Sequence, residues 1–294
     1  MAISKLKILF IINPISGGHH KTKITKAIPK ILDNNIFDIS VIYTEYAGHA
    51  TEIAKSAVEA NTDIVVAVGG DGTINEVASQ LVNTNTTLAI IPCGSGNGLA
   101  RDLGISLCYK KAIQQINSLK IKKIDVGVCN NQYFFNLAGA GFDAKVAYDF
   151  NRGKKRKFFG YVWAILKVFF SLKDEYYEIE LENENITGNF FFITVANCSQ
   201  WGYNVKVAPN AKPDDGIFSV NLCKKPSFLY IIPFGIKVIS GRIAHSKYVI
   251  LKTSNKITLC SNSDFYYHTD GDAKGISRRI KINILHKALN IIAK

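Results

Sequence analysis

Three glycine-bearing stretches carry residue types suited to phosphate chemistry. In Ala67-Val68-Gly69-Gly70-Asp71-Gly72-Thr73-Ile74-Asn75-Glu76-Val77 an apolar run gives way to a helical pattern. Gly69, Gly70 and Gly72 have no Cβ, so their backbone N–H groups can lie directly against phosphate oxygens. From Thr73 onward, Ile74, Val77, Ala78 and Leu81 fall at helical spacing, which opens the loop onto a helix N-terminus. Asp71 would repel a nucleotide unless it holds Mg²⁺ or takes a proton from a nucleophile, and both jobs belong to phosphoryl transfer. Asn13-Pro14-Ile15-Ser16-Gly17-Gly18 follows a first apolar run, and Ile91-Pro92-Cys93-Gly94-Ser95-Gly96-Asn97-Gly98-Leu99-Ala100-Arg101 is a second glycine-rich loop with Ser95 and Asn97 as short polar donors. One such loop alone is a steric strand-to-helix turn; three at one sheet edge point to a ligand.

Two later stretches carry carboxylates. Phe265-Tyr266-Tyr267-His268-Thr269-Asp270-Gly271-Asp272 alternates like a strand and ends in two acids around a glycine. Asp-Gly favours a hairpin turn; the functional reading brings a carboxylate from a second domain to the ligand. Lys212-Pro213-Asp214-Asp215-Gly216 reads either as a solvated turn or as a loop that holds a divalent cation through carboxylates and carbonyls. The six histidines, His19, His20, His49, His245, His268 and His286, form no HxH or HxxxH set, so metal- and serine-hydrolase chemistry has no footing.

The elements that must position these residues change character along the chain. Strands are predicted over Lys7–Ile12, Phe37–Tyr43, Asp63–Val68 and Thr87–Ile91, with helices over Thr22–Leu32, where Pro29 disturbs the pattern, and His49–Ala60. This alternation means a doubly wound parallel sheet whose ligands sit at the carboxyl ends of its strands, where the glycine loops lie. Beyond about Val126 short strands dominate: Tyr133–Leu137, Tyr176–Leu181, Phe190–Ala196, Ile217–Leu222, Tyr248–Thr253, Lys256–Cys260, Phe265–His268 and Ile280–Leu285. A mostly antiparallel sandwich fits them, interrupted by helices near Phe158–Leu172 and Ser227–Ser240. The boundary is placed at the turn cluster Cys129-Asn130-Asn131.

The 294 residues, 47% hydrophobic and 20% charged, give a globular chain of two domains. A formal charge of +13 points to an anionic partner, whether nucleic acid, nucleotide or acidic membrane. Six scattered cysteines read as reduced, mostly buried thiols of a cytosolic protein. The apolar stretches Tyr161–Leu172 and Phe228–Ser240 are too short to span a bilayer, so any membrane contact is peripheral. Arg152-Gly153-Lys154-Lys155-Arg156-Lys157 is ordinarily a solvated charged face. Beside Phe158, Phe159, Tyr161 and Trp163 it also suits lipid headgroups, while Trp163, Leu166, Val168 and Phe169 are placed in the core.

Together the loops resemble the diacylglycerol-kinase catalytic family, which includes bacterial lipid kinases, sphingosine kinases and ceramide kinases. The match lies in Gly69 to Thr73, the Asn-Pro-x-Ser-Gly start at Asn13 to Gly17, the Gly-Ser-x-Asn loop at Gly94 to Asn97 and the Asp-Gly-acidic element at Asp270 to Asp272, in the family's order. Gly-Gly-Asp-Gly alone is shared with NAD kinases and resembles phosphofructokinase loops. The resemblance implies an α/β nucleotide-binding domain of that type over 1–128, completed by the chain end at about 287–294, and a β-sandwich lipid-substrate domain over 129–286, with the active site in the cleft between them. It implies that ATP binds Asn13, Pro14, Ser16, Gly17, Thr44, the Gly69-to-Asn75 loop and Gly94, Ser95, Gly96 and Asn97, with Asp270 and Gly271 approaching from across the cleft. Asp272 or Asp71 takes the proton from the lipid hydroxyl. Lys212, Asp215 and Ile217 match a structural Mg²⁺ loop, with Asp215 as the side-chain ligand.

The late motif is commonly Asp-Gly-Glu, so Asp272 is one methylene shorter than usual. Gly98 stands where bacterial diacylglycerol kinases carry Asp, which is closer to the sphingosine-kinase version. Lys145, in Gly141-Phe142-Asp143-Ala144-Lys145, stands where that branch carries an acid, and a lysine there would repel a sphingoid base. The reading is an ATP- and Mg²⁺-dependent lipid kinase acting on diacylglycerol, cytoplasmic and peripheral at the anionic inner membrane face, with no nucleic-acid partner and room for a homodimer. The alternatives are a sphingoid-base or ceramide kinase, an NAD-kinase-like enzyme with a water-soluble acceptor, and a non-catalytic nucleotide-dependent membrane-binding protein.

Overall fold

In the computed structural model the described residues are 5–17, 21–152, 158–202 and 205–294; the side chains of 150–152 and 158–164 lie outside that description. The chain divides into two compact units, 1–125 with 286–294, and 126–285.

The first unit alternates strand and helix: β1 (Leu6–Ile12), α1 (Lys21–Ile31), β2 (Phe37–Tyr43), α2 (His49–Glu59), β3 (Ile64–Gly69), α3 (Asp71–Leu81), β4 (Thr87–Pro92), α4 (Gly98–Asp102) and α5 (Tyr109–Ile116). Every residue of β3 and β4 is buried, as their unbroken apolar runs require of parallel strands covered on both faces. β1 pairs in parallel with β2 and β3, and β3 with β4. The helices supply the covering faces: Ile24, Ala27 and Ile28 of α1, Ala50, Ile53, Ala54 and Ala57 of α2, and Ile74, Val77, Ala78 and Leu81 of α3 are buried. Pro29 is accommodated inside α1. The amphipathic α5, with Ala112, Ile113 and Ile116 buried, adds a helix that the sequence reading leaves out.

The chain end closes this unit. Ile291 pairs with Leu88, Asn83 N–H donates to Ala288 O at 2.7 Å, and Ala293 N–H donates to Lys120 O at 3.1 Å. Asp125, fully buried, accepts the Lys287 amide at 2.7 Å and lies 2.8 Å from His286 Nδ1.

All six cysteines are free. Cys108, exposed at the start of α5, is held below the usual thiol range first by the amide N–H of Lys111 and then by that of Lys110. Burial pushes Cys129 up to about 12 and Cys223 upward as well. A maleimide is therefore expected to label Cys108 first, at a rate that rises with pH from below the ordinary thiol range, while Cys129 and Cys223 react only on unfolding. Peptide mapping checks this: equal early labelling of the buried thiols would contradict it.

The second unit contains β5 (Ile121–Cys129), which enters it from the first unit, then β6 (Gln132–Phe134), β7 (Leu137–Gly141), α6 (Phe142–Arg152), α7 (Phe158–Ser171), β8 (Glu175–Leu181), β9 (Asn185–Phe190), β10 (Phe192–Ala196), β11 (Gln200–Gly202), β12 (Val205–Lys206), β13 (Phe218–Cys223), α8 (Ile231–Ile239), β14 (Val249–Ser254), β15 (Lys256–Thr269) and β16 (Asp272–Ile292). β14, β13, β10, β7, β15 and β16 lie side by side in that order, antiparallel wherever they pair within the unit. The strands predicted at Lys256–Cys260 and Phe265–His268 are one strand with a register break between Cys260 and Phe265. Its first part pairs with β8 and its last three residues with β7, so β15 serves both layers of the sandwich. The strand predicted at Ile280–Leu285 extends over 21 residues.

The core between the layers is built from Phe134, Tyr177, Ile193, Val220, Phe218, Phe265 and Ile280, all fully buried. Of the helix residues assigned to the core, Val168 is buried and Phe169 packs on Phe191, but Leu166 is 47% exposed. The basic run from Gly153 to Lys157 lies outside the described residues, as do Gly18, His19 and His20 and the side chains of Arg152, Phe158, Phe159, Tyr161 and Trp163.

Candidate functional site

In the first unit the strand order β2-β1-β3-β4 places a topological switch between β1 and β3, because the chain winds outward from β1 in both directions. In open α/β sheets, ligands bind outside the carboxyl ends of the strands at such a point. The loop of Asn13 leaves β1 there and that of Gly70 leaves β3.

Asn13 joins the two. Its N–H donates to Val68 O at 3.0 Å and its Nδ2 to Thr73 Oγ1 at 2.9 Å, while its Oδ1 accepts the amides of Ile15 and Ser16. Ser16 Oγ returns a bond to Asn13 O at 3.1 Å. Pro14 is exposed, and Gly17 turns at φ +53° against the carbonyl of Cys93. Thr44, buried just beyond β2, donates its N–H to Ile12 O at 2.9 Å.

α3 begins at Asp71, two residues before the pattern read from sequence, with Gly70 as an extended N-cap. No side chain caps it, so the first-turn amides of Asp71, Gly72 and Thr73 stay open to an anion. Asn75, one turn on, accepts Ser79 Oγ at 3.4 Å.

The third loop is tied to the second by Asp71. Its Oδ2 accepts the Asn97 amide and its Oδ1 the Gly98 amide, both at 2.9 Å. Bonds to a charged acceptor are worth about 1.5–3 kcal/mol each. Asp71 thus has a holding role that neither sequence alternative, cation ligand or proton acceptor, includes, and the Gly98 amide supplies one of its partners. Asn97, at φ +50°, shapes the loop: its Oδ1 accepts Gly94 N–H at 3.0 Å and its Nδ2 donates to Gly94 O at 2.7 Å. Arg101, given no role from sequence, donates from Nε to Gly96 O at 3.0 Å and brings a guanidinium to this loop. Its place one turn into the helix after Asn97 is the signal that could have marked it. Ser95 is exposed, and Cys93 N–H donates to Gly69 O at 2.7 Å.

The second and third loops approach backbone to backbone. A Cβ on Gly94 would lie 2.7 Å from Gly70 Cα and 2.9 Å from Asn97 Oδ1. Gly94→Ala must therefore separate the loops, and calorimetry is expected to show ATP binding weakened at least about tenfold, a change of about 1.4 kcal/mol. An unchanged affinity would mean the contact does not shape the seat.

In the second unit, Asp270 and Gly271 form the two-residue turn between β15 and β16, at φ +50° and +81°, as in a type I′ hairpin. The hairpin reading and the functional reading of this stretch are therefore compatible. Asp270 is a clamp: its carboxylate accepts the amides of Phe135, Asn136 and Leu137 at 2.9, 2.8 and 3.1 Å. Beneath the turn, His268 Nδ1 accepts Gly271 N–H at 3.3 Å, which leaves the proton on Nε2, 3.2 Å from Asp143 Oδ2 without the alignment of a hydrogen bond. Thr194 Oγ1 donates to the same oxygen at 3.3 Å. His268 and Asp143 have no motif spacing, so only the fold brings them together. Asp272 is exposed and its carboxylate has no partner among the described residues.

Lys145 pairs with Asp149 at 2.6 Å and lies over the rings of Tyr266 and Tyr148. Burial pulls its pKa down, but the bond and charge of Asp149 outweigh this and raise it. This pairing offsets the Lys145 charge from which repulsion of a sphingoid base is expected. In the Lys212–Ile217 loop, Asp215 Oδ1 accepts the Ile217 amide at 3.3 Å and Gly216 turns at φ +78°. Carboxylate and main-chain carbonyl oxygens are the kind of donor that Mg²⁺ takes. No cluster of three or more His, Cys, Asp or Glu suited to a metal occurs among the described residues.

Residues 7–129 match the model of the diacylglycerol kinase catalytic domain, and residues 136–293 match that of the YegS C-terminal NAD kinase beta sandwich-like domain. The diacylglycerol kinase of Bacillus subtilis (strain 168) is 30% identical over 273 residues, 90% of this chain and 89% of that one. This chain belongs to the diacylglycerol kinase family. Its relative in Staphylococcus saprophyticus, also named diacylglycerol kinase, is 31% identical over 277 residues, 90% of this chain and 88% of the relative. A crystal structure of a diacylglycerol kinase from Bacillus anthracis str. Sterne has the same fold, with a TM-score of 0.77 at 23% identity over 98% of this chain and 97% of that chain. Family membership makes this a kinase-family chain with an α/β catalytic domain followed by a β-sandwich.

Proposed function

We propose that this kinase-family chain transfers the γ-phosphoryl group of ATP to the hydroxyl of diacylglycerol, with Mg²⁺, while bound peripherally at the cytoplasmic face of an anionic membrane. The observation that carries the reading is the seat at the β1/β3 switch point, where Asp71 fastens the Gly94–Gly98 loop beside the open N-terminus of α3. Phosphoryl transfer asks for little covalent help from a protein; it asks for positioned donors around the phosphate oxygens and a group that receives the hydroxyl proton.

The first-turn amides of Asp71, Gly72 and Thr73 act as the donors, and Asn13, Ser16, Thr44, Ser95 and Asn97 frame them. Asp272 is assigned the proton: its carboxylate is uncommitted among the described residues, whereas both oxygens of Asp71 already accept amides. Asp270 and Gly271 fix the hairpin that carries it. Mg²⁺ offsets phosphate charge when bound with the nucleotide, and the Asp215 loop would hold a second, structural ion. A sphingoid base is the second reading, because Asp149 offsets the charge of Lys145.

The test is to incubate the protein with γ-labelled ATP and, in separate mixed-micelle assays, diacylglycerol, sphingosine or NAD⁺. Label is expected in phosphatidate; label in none of the three acceptors would contradict the proposal.

A further inference from the structure

The second unit carries an apolar face that the mechanism does not use. Phe228 and Leu229, in a 3₁₀ turn, and Ile232, Ile236 and Ile239, along α8, are 62–89% exposed. Their spacing of three to four residues puts them on one side of the helix. The other side is anchored, since Phe234 and Val238 pack against the cluster of Phe191, Phe192, Val207 and Ile243. The exposed face is therefore not a helix that failed to find its core. Phe170, 61% exposed and 6.3 Å from the Phe228 ring, continues the patch.

The chain segment that carries it has one sign of charge, with Lys252 paired to Glu184 from outside the segment at 2.7 Å. Residues 216–263 contain Lys224, Lys225, Lys237, Arg242, Lys247, Lys252 and Lys256 and no Asp or Glu. Lys247 Nζ lies 5.4 Å from the rings of both Tyr230 and Tyr248, and Lys237 Nζ 5.8 Å from Tyr230. Asp174 is engaged with this region through the Lys225 amide, 3.1 Å from its Oδ1. Large apolar side chains on one face, with tyrosines and cations at the rim, are what a helix lying in a headgroup layer needs. No helix among the described residues is long and apolar enough to cross a membrane, and nine residues of α8 reach only about 13 Å.

We infer that α8 and the turn before it are the docking surface of this protein for an anionic lipid bilayer. The apolar side chains enter the acyl boundary while Lys237, Arg242 and Lys247 meet lipid phosphates. The inference rests on the lipid-kinase reading for the source of the surface, and its geometry commits to a bilayer because a second copy would set one cationic rim against another.

The experiment is co-sedimentation of the intact protein, without ATP, on vesicles of phosphatidylcholine alone or with phosphatidylglycerol. Binding is expected on the anionic vesicles and lost with salt. Ile232→Ser/Ile236→Ser should weaken it at least about tenfold, and Arg242→Glu or Lys247→Glu about fivefold each. All four positions except Lys247 are solvent-facing in or beside α8, and Lys247 is exposed too, so circular dichroism should be unchanged; if the double isoleucine variant unfolds, the charge variants decide. Wild-type binding by the isoleucine and charge variants would overturn the inference, as would a dimer that the isoleucine variant splits without loss of vesicle binding. Phosphorylation of micellar diacylglycerol separates the two readings. Vesicle binding through α8 with no lipid phosphorylated sinks only the kinase; micellar activity with variant-insensitive binding sinks only the docking surface.

Discussion

Asp272→Asn is expected to lower kcat on micellar diacylglycerol by about 10²- to 10⁴-fold, the usual worth of a positioned proton acceptor, with KM for ATP unchanged. Asn keeps the shape of the side chain but removes its charge and its capacity to take a proton, and Asp272 has no amide partner among the described residues that the new NH₂ group would oppose. The backbone beneath it is held independently: Asp270 accepts three amides, and the hairpin turns through two positive-φ residues. A loss of activity therefore cannot be assigned to a collapsed turn. Asp272→Glu is expected to retain activity, because the same carboxylate is carried one methylene further. A kcat for Asp272→Asn within about twofold of wild type would remove Asp272 from the chemistry.

Asp71→Asn is expected to act on a different quantity. One amide oxygen can still accept from Asn97 or Gly98, but the NH₂ group then faces the other N–H, so one bond is lost and a donor opposes a donor. The Gly94–Gly98 loop loosens from α3, and ATP affinity should fall about 10- to 100-fold, or about 1.4–2.8 kcal/mol. Turnover at saturating ATP should change much less than in Asp272→Asn. If Asp71 were instead the proton acceptor, kcat would collapse at unchanged affinity.

The first unit was legible because its signals are local. Unbroken apolar runs at Ile64–Val68 and Leu88–Ile91 mark strands buried on both faces, and Ile74, Val77, Ala78 and Leu81 mark the helix that follows. What Asp71 does was not legible, since its partners lie 26 and 27 residues away and are backbone amides that any residue could supply. In the second unit, β7 is Leu-Ala-Gly-Ala-Gly, without a branched or aromatic residue after Leu137, so propensity does not announce a strand. The strand exists because β10 and β15 pair on its two sides. The polar 261–264 stretch hid the continuity of β15, and α6 was missed beside it. Lys145 and Leu166 show the limit of reading residues singly: Asp149 offsets the first, and the second faces outward.

The central claim is that the phosphate seat at the switch point is held by Asp71, while the proton chemistry belongs to Asp272. A calorimetric titration of ATP into wild type, Asp71→Asn and Asp272→Asn tests it most directly. The expected result is affinity weakened about tenfold or more in Asp71→Asn and unchanged within about twofold in Asp272→Asn. Wild-type affinity in Asp71→Asn, or the larger loss in Asp272→Asn, would contradict it.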